Sequence, residues 1–566
     1  MEAILINCAT VVGILFLSSL TVLVLIGNGY LALSLLKIDG SDSPISSVSI
    51  IGFIFICTTL NLLHFYFPIN AFISFGVFTL GLAFAYCYRR NIITGFLGYK
   101  KILKSYTVIF GISLMVFIVI SRSLEIPSNP DSAGYHLASI GWINRFHLIP
   151  GLANLHFRFG FNNLGYFNYP ALFNFYPIFS RGYVVASISI IIVTYLFIFS
   201  GVLASNRKAS LKMTPIIWIL VLAITLNLRY VDSPTPDLIV FLLEIVIFLS
   251  LFSYFFEIQS ATQKTTSKFL VIGLSTLLIT FKLSSLFYAL ISILLVLLPA
   301  FSVEKICFKK VFLIVMLIIA PHLIRGYWLS GYPLFPNPSL AYETLEWLVP
   351  KSVAINESNW IYSWARAPGL QPSEVLNSWN WFFPWVLHIK FGNWVLMSLS
   401  LISTLINIIH FKAIKKHFGA AFFALMAQCI ISIFMWFYLA PDFRFLGSIL
   451  WIYLSLSIAL NSTCLNDLDI SINAKPIILN ASKAFGLMIF AIAFAKSMDL
   501  RYMNFSGFQE IPIPAHFIRQ TGKDLTLQIP KDGSCWMESG ACTPYFNENL
   551  KLIEINNFES GFAISK

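Results

Sequence analysis

Residues 269–301 read FLVIGLSTLLITFKLSSLFYALISILLVLLPAF, and Lys282 is the only charged side chain among them. A helix crosses the ~30 Å hydrocarbon core of a bilayer in about 20 residues, so this run is too long for one span and too apolar for water. Lys264 and Lys268 precede it and Lys305, Lys309 and Lys310 follow it. Basic flanks at both ends return the chain to the side it left, and the turn is expected near Lys282. The stretch reads as a membrane hairpin and sets the fold class for the rest.

The same argument extends to all 566 residues, which are 58% hydrophobic and only 11% charged. A soluble domain carries roughly a quarter charged residues, so lipid surrounds much of the chain. Apolar windows of about 17–25 residues recur near 4–36, 49–67, 70–88, 106–122, 181–205, 213–228, 238–257, 269–281, 284–301, 311–328, 391–411, 418–438, 446–460 and 476–496. They predict an all-α integral membrane protein, a polytopic helical bundle of about 14 spans. The opening MEAILINCAT has no basic leader region and is expected to stay as the first span. The formal charge is +12, but Lys and Arg sit in short clusters and form no single basic face, which excludes a nucleic-acid partner. One alternation puts the most basic loops, YRRNIITGFLGYKKILK, NRKASLK, VEKICFKK and FKAIKKH, on a common side, the cytoplasmic one. Residues 123–180, 229–237, 329–390, 439–445 and the tail from about 497 then face out, and both termini are expected outside.

Polarity gathers in the first exterior loop, where residues 128–170 read SNPDSAGYHLASIGWINRFHLIPGLANLHFRFGFNNLGYFNYP. Ser128 or Asn129 can cap a helix beginning at Pro130. Tyr135, Ala138, Trp142, Phe146 and Ile149 then recur close to helical spacing. The expectation is a helix lying in the membrane interface, with His136 and His147 on one face and Asp131 in its first turn, where the dipole favours negative charge. In NLHFRFGFN, Asn154, His156, Arg158 and Asn162 alternate with Leu155, Phe157, Phe159 and Phe161. As an extended strip this would seal aromatics against lipid and present His156 and Arg158 to a cavity. A loop this polar reads as a site rather than a spacer.

Arg181, Arg229, Lys282, Arg325 and Arg444 meet the same exterior side. Each alone reads as a snorkelling residue; together they suit an anionic ligand, and arginine grips phosphate bidentately. In RYVDSPTPDL, a turn set by two prolines, Asp232 is expected to pair with a nearby cation and Asp237 is a second functional carboxylate. The loop 329–390 carries six tryptophans, which suit either an interfacial belt or a sugar platform. Cys535 and Cys542, seven apart in DGSCWMESGACTPYF, are expected to form a disulfide in an oxidising exterior tail.

A multi-span chain whose first large exterior loop opens with an acid, a tyrosine and an interfacial helix, here PDSAGYHLASIGWI, resembles the GT-C superfamily of membrane glycosyltransferases, which use polyprenyl-linked sugars. The pattern YHLASIGWINRFHLIPGLANLHFRFGFNN, with ITFKLSS, RGYWLSGYPLFP, APDFRF and CWMESGACTPYF, is also similar to a group of uncharacterised bacterial membrane proteins of that general architecture. The resemblance implies accessory spans over 1–105, a GT-C-like catalytic core over 106–496 and a periplasmic tail over 497–566. It implies an inner-membrane transferase that moves a sugar or oligosaccharide from a polyprenyl-(pyro)phosphate donor to a periplasmic glycan or lipid acceptor, with oligosaccharide polymerisation as a sub-case. Asp131 matches the family's catalytic acid, so Asp131 is expected to act as base. Tyr135, His136, His156, Arg158, Asn162, Asp237, Lys282, Arg325 and Arg444 are the candidate substrate-binding residues. Three spans precede the helix that should open the core, and no second acid adjoins Asp131; a divalent metal ion, if used, would have Asp131 as its one evident ligand. The alternative is a transporter or flippase for a lipid-linked or anionic substrate, which would place polar groups near the bilayer midplane and repeat its halves.

Overall fold

Helix Pro236–Phe256 is the axis of the molecule, and its start is written in SPTPD. Thr235 Oγ1 accepts the amide of Asp237 at 3.3 Å, and Pro236 takes the first helical position, where no N–H is needed. The helix is apolar on all sides, as a helix surrounded by other helices must be, and 89% of its most apolar window is buried. Helices Gly182–Ser205 and Ala261–Phe281 pack against it. The computed structural model describes residues 2–100, 106–174, 182–205, 213–257, 259–299, 307–412, 415, 419–467, 511–523, 525–538 and 540–565.

Among the described residues, seven helices are long and apolar enough to cross a membrane: Thr10–Leu35, Ile45–Leu63, Gly182–Ser200, Pro236–Phe256, Phe308–Ser330, Phe391–Ile409 and Ala420–Leu439. Ala71–Cys87 and Arg89–Tyr99, bent by 80°, make an eighth if the pair counts as one span. The expectation of about 14 spans is corrected to that number. Every apolar window except 476–496, which lies outside the described residues, does coincide with a helix, but several are too short. Leu283–Leu297 has 15 residues, which at 1.5 Å each rise about 22 Å of the ~30 Å required. The hairpin turns where the lone charge stands. Helix Ala261–Phe281 stops, Lys282 is extended (φ −156°, ψ 116°), a 3₁₀ turn follows over Leu283–Ser285, and Leu286–Leu297 packs against the helix before it.

Burial falls outward from the axis, to 33% for Ala420–Leu439 and 22% for Phe391–Ile409. Exposed Leu401, Ile402, Leu405, Ile408 and Phe434 on these outer helices are the faces available to lipid. The molecule is therefore a helical bundle with membrane-type spans, while the tail departs from the all-α expectation. There β1 (His516–Gln520) pairs antiparallel with β2 (Thr526–Pro530), and β3 (Leu550–Glu554) with β4 (Asn557–Ile564). The expected Cys535–Cys542 disulfide lies between the two pairs, Cα–Cα 5.9 Å. Peptide mapping after alkylation of the folded, unreduced chain should find Cys535 and Cys542 joined; full labelling of both thiols would contradict the bond.

This tail roofs the first loop. Trp536 N–H donates to Ala133 O (2.8 Å) and Phe562 N–H to Pro150 O (3.0 Å), and the rings of Phe558 and Phe562 meet Trp142 edge-on at 6.0 Å. Helix Leu137–Arg145 is consequently buried from Leu137 through Ile143. It is a core element and not the interfacial helix its apolar stripe predicts.

Candidate functional site

The loop enters the site through hydrogen bonds its own sequence supplies. Asn129 Oδ1 accepts the amide of Asp131 at 3.0 Å, and Ser128 Oγ donates to Asp232 Oδ1 at 3.1 Å. Ser233 Oγ also donates to Asp232, so this aspartate is a buried tie between two loops that also feels the charge of Arg122. Burial pushes its carboxyl up, and the two serine hydroxyls oppose that. A single π-helical turn, Ser132–His136, then precedes Leu137–Arg145; such insertions recur at functional sites. Tyr135 and His136 are both buried behind Asp131.

Five stretches of chain converge on Asp131. Arg158 Nη1 donates to Asp131 Oδ1 at 2.9 Å, and Arg444 Nη1 stands 3.7 Å from Oδ2. The Arg158 guanidinium lies 5.5 Å from the centre of the Tyr135 ring. Asp442, at the head of the turn Phe443–Leu446, accepts the Arg444 amide at 2.9 Å and its Nε at 3.1 Å. Lys282 Nζ donates to Asp237 Oδ1 and, at 3.0 Å, to the Arg444 carbonyl. Asp131, Arg158 and Arg444 keep 32%, 29% and 37% of their side chains exposed, whereas Lys282 and Asp237 keep 11% and 18%. The group is thus an open rim of alternating charge over a more enclosed ion pair. Asp131, Tyr135, His136, His156, Arg158, Asp237, Lys282 and Arg444 all belong to it.

Asn162, Arg325 and His147 do not. Asn162 is buried in a left-handed conformation (φ 57°) and donates to the His322 carbonyl at 2.6 Å, a structural tie. Arg325 lies among His64, His322 and Trp142. His147 falls beyond the helix end at Arg145 and sits 3.6 Å from Glu559, so it shares no face with His136. The extended strip is also corrected: Leu152–Leu155 is a helical turn and Phe157–Phe161 a 3₁₀ turn. His156 Nδ1 accepts the Arg158 amide at 3.3 Å and caps that turn. Polar–aromatic alternation reads as a strand, but a side-chain cap makes the tight turn available, and Gly160 leaves room for Phe335 and Ala153.

Two carboxylates were not singled out by sequence. Glu357 lies on the buried side of helix Lys351–Arg366 and feels both Arg158 and Asp131. Burial pushes its carboxyl up to about 7; Arg158 works against this and Asp131 adds to it. A signal was present, since Glu357 falls in helical register with Ala354, Ile361 and Ala365 on the apolar face. Glu244, buried in the axis helix, accepts Ser285 Oγ (2.9 Å) and the Ser448 amide (2.7 Å). It fastens the break after Lys282 and the break after Arg444 to one helix, and so sets the spacing of those two cations. Two tryptophans, one from the tryptophan-rich loop and one from helix Ala420–Leu439, act similarly. Trp385 Nε1 donates to Pro441 O (2.8 Å) and Trp436 Nε1 to Asp442 O (2.7 Å), holding the Arg444 turn in place.

The histidines of the site are neutral near pH 7. Burial pushes His136 down to about 4, with Asp131 and Asp237 opposing, and burial followed by Arg158 pushes His156 down to about 3. Arg158 is raised, because Tyr135 and Asp131 outweigh the effect of its burial. Among the described residues no group of three or more His, Cys, Asp or Glu side chains is placed to hold a metal ion, and the guanidinium groups of Arg158 and Arg444 face the two oxygens of Asp131.

The family described as a domain of unknown function (DUF8201) matches residues 12–451. The chain belongs to the DUF8201 family. No curated protein and no solved structure matches it. The DUF8201 region contains every member of the charged rim, from Asp131 to Arg444, together with Glu244 and Ser448, and ends before the disulfide-bearing tail.

Proposed function

We propose that this DUF8201 protein is a membrane glycosyltransferase of GT-C-like architecture, moving a sugar or oligosaccharide from a polyprenyl-(pyro)phosphate donor to a glycan or lipid acceptor on the periplasmic face of a bacterial inner membrane. The observation that carries the reading is the open rim in which Asp131 holds Arg158 and Arg444, with Lys282 and Glu357 beside it. A sugar leaving from phosphate needs cations for the departing oxygens and a base for the incoming hydroxyl. Arg158, Arg444 and Lys282 supply the first. Asp131 keeps the arginines at a phosphate's reach; when phosphate takes them, its carboxylate is left facing the positive charge that develops on the sugar. Glu357, whose proton affinity lies near neutrality, accepts the hydroxyl proton. Sequence alone gave that proton to Asp131; here the two oxygens of Asp131 are instead turned to Arg158 and Arg444. His136, His156 and Tyr135 position these groups from behind.

Comparison of lipid-linked intermediates in a deletion strain tests the reading. Unprocessed donor should accumulate on the outer leaflet, and reintroduction of the wild-type chain should clear it. Accumulation confined to the inner leaflet would point instead to transport of the lipid-linked substrate.

A further inference from the structure

Arg325 presents an unsolved charge. It is 1% exposed, the largest fully buried side chain among the described residues, and none of its Nε, Nη1 and Nη2 atoms has a hydrogen-bond partner. A guanidinium cannot lose its proton to escape this situation as a lysine can, and a buried charge without a counter-charge is strongly disfavoured. No described carboxylate forms an ion pair with it. Its charged or titratable neighbours, His64, His147 and His322, are of the wrong sign when protonated and offer no negative charge when neutral.

Arg325 opens onto a cavity of about 10 Å³ that is also lined by His64, Trp142, Ser139, His147 and Leu329. Trp142 is 3% exposed and its indole N–H, a donor with no acceptor capacity, is likewise without a partner. Two residues with unused donor groups, one of them cationic, therefore line one cavity. That space has room for a water or a monatomic ion, which separates Arg325 from the lipid-phosphate role its sequence position suggested. His147, about one third exposed, also lines the cavity and sits beside Glu559 of the tail.

We propose that this cavity is a binding site for one halide-sized monovalent anion, held by the Arg325 guanidinium and the Trp142 indole N–H. Water alone would satisfy donors but leave the charge uncompensated; an anion does both. The site lies where the end of helix Ile45–Leu63, helix Leu137–Arg145 and helix Phe308–Ser330 meet, so the anion ties three elements of the core together and stands apart from the charged rim. The claim is independent of the proposed transferase chemistry.

Thermal unfolding of the detergent-purified full chain, titrated with sodium chloride against sodium gluconate at constant ionic strength, tests it. Chloride and bromide should raise the unfolding midpoint saturably, while gluconate, too large for the cavity, should not. W142F should shift the half-saturating chloride concentration upward several-fold, and R325M should remove the chloride dependence altogether. Equal midpoints in chloride and gluconate, or an unchanged chloride response in R325M, would overturn the proposal. Should R325M fail to fold, anomalous scattering from bromide-soaked crystals decides: a peak beside Arg325 and Trp142 supports the site, and its absence there refutes it.

Discussion

Asp131→Asn should lower sugar transfer by roughly 10²–10⁴-fold while leaving expression and detergent-extracted yield close to wild type. Asparagine keeps the shape of the side chain and can still accept from Arg158, but it removes the charge that holds Arg158 and Arg444 on its two oxygens at 2.9 and 3.7 Å. Because a third of Asp131 is exposed, screening limits its contribution to stability, so the loss should appear in turnover and hardly in the unfolding midpoint. Surface glycan output from a strain carrying only the variant measures this. Output equal to wild type would remove Asp131 from the chemistry.

The second large effect concerns Glu357. As a proton acceptor it works only when ionised, and burial lifts its carboxyl to about 7. Below that value the neutral form dominates, so transfer should fall about tenfold for each further pH unit and level off above it. Glu357→Gln should both lower the plateau and abolish the acidic limb. The buried histidines, at about 4 and about 3, lie too low to generate such a limb, and a profile in Glu357→Gln that still breaks near 7 would assign the titration to another group. Sign and stability are linked here as well: a raised carboxyl favours the folded state while neutral, and that contribution is lost as pH rises from the ordinary glutamate value through about 7.

Much of this site was legible because membrane chains make charge conspicuous. Lys282 stood alone in an apolar run, and the chain breaks there. Asp131, Arg158 and Arg444 stood out against lipid-soluble neighbours, and they meet. What sequence did not give was the partnership itself, since Arg444 reaches Asp131 only through the turn that Asp442, Trp385 and Trp436 hold together. Glu357 was hidden by its position in a loop whose tryptophans drew the eye, though its helical register marked it. The span count failed for a different reason. Apolar windows record burial in either lipid or protein, and helices such as Leu283–Leu297 are apolar because other helices surround part of them, without the length to cross a bilayer. In the tail the cysteines are legible, whereas its short strands, HFIRQ and TLQIP among them, carry too few residues to show a period.

Binding of a short-chain polyprenyl phosphate to the detergent-purified chain is the most direct test of the rim as a phosphate site. Wild type should bind saturably, and a variant with Arg158→Gln and Arg444→Gln together should bind at least about 100-fold more weakly, as loss of two charge-assisted grips on one phosphate predicts. Equal affinity in the two proteins would mean that the arginines serve only to neutralise Asp131, and the assignment of a phosphate-bearing lipid to this site would fall.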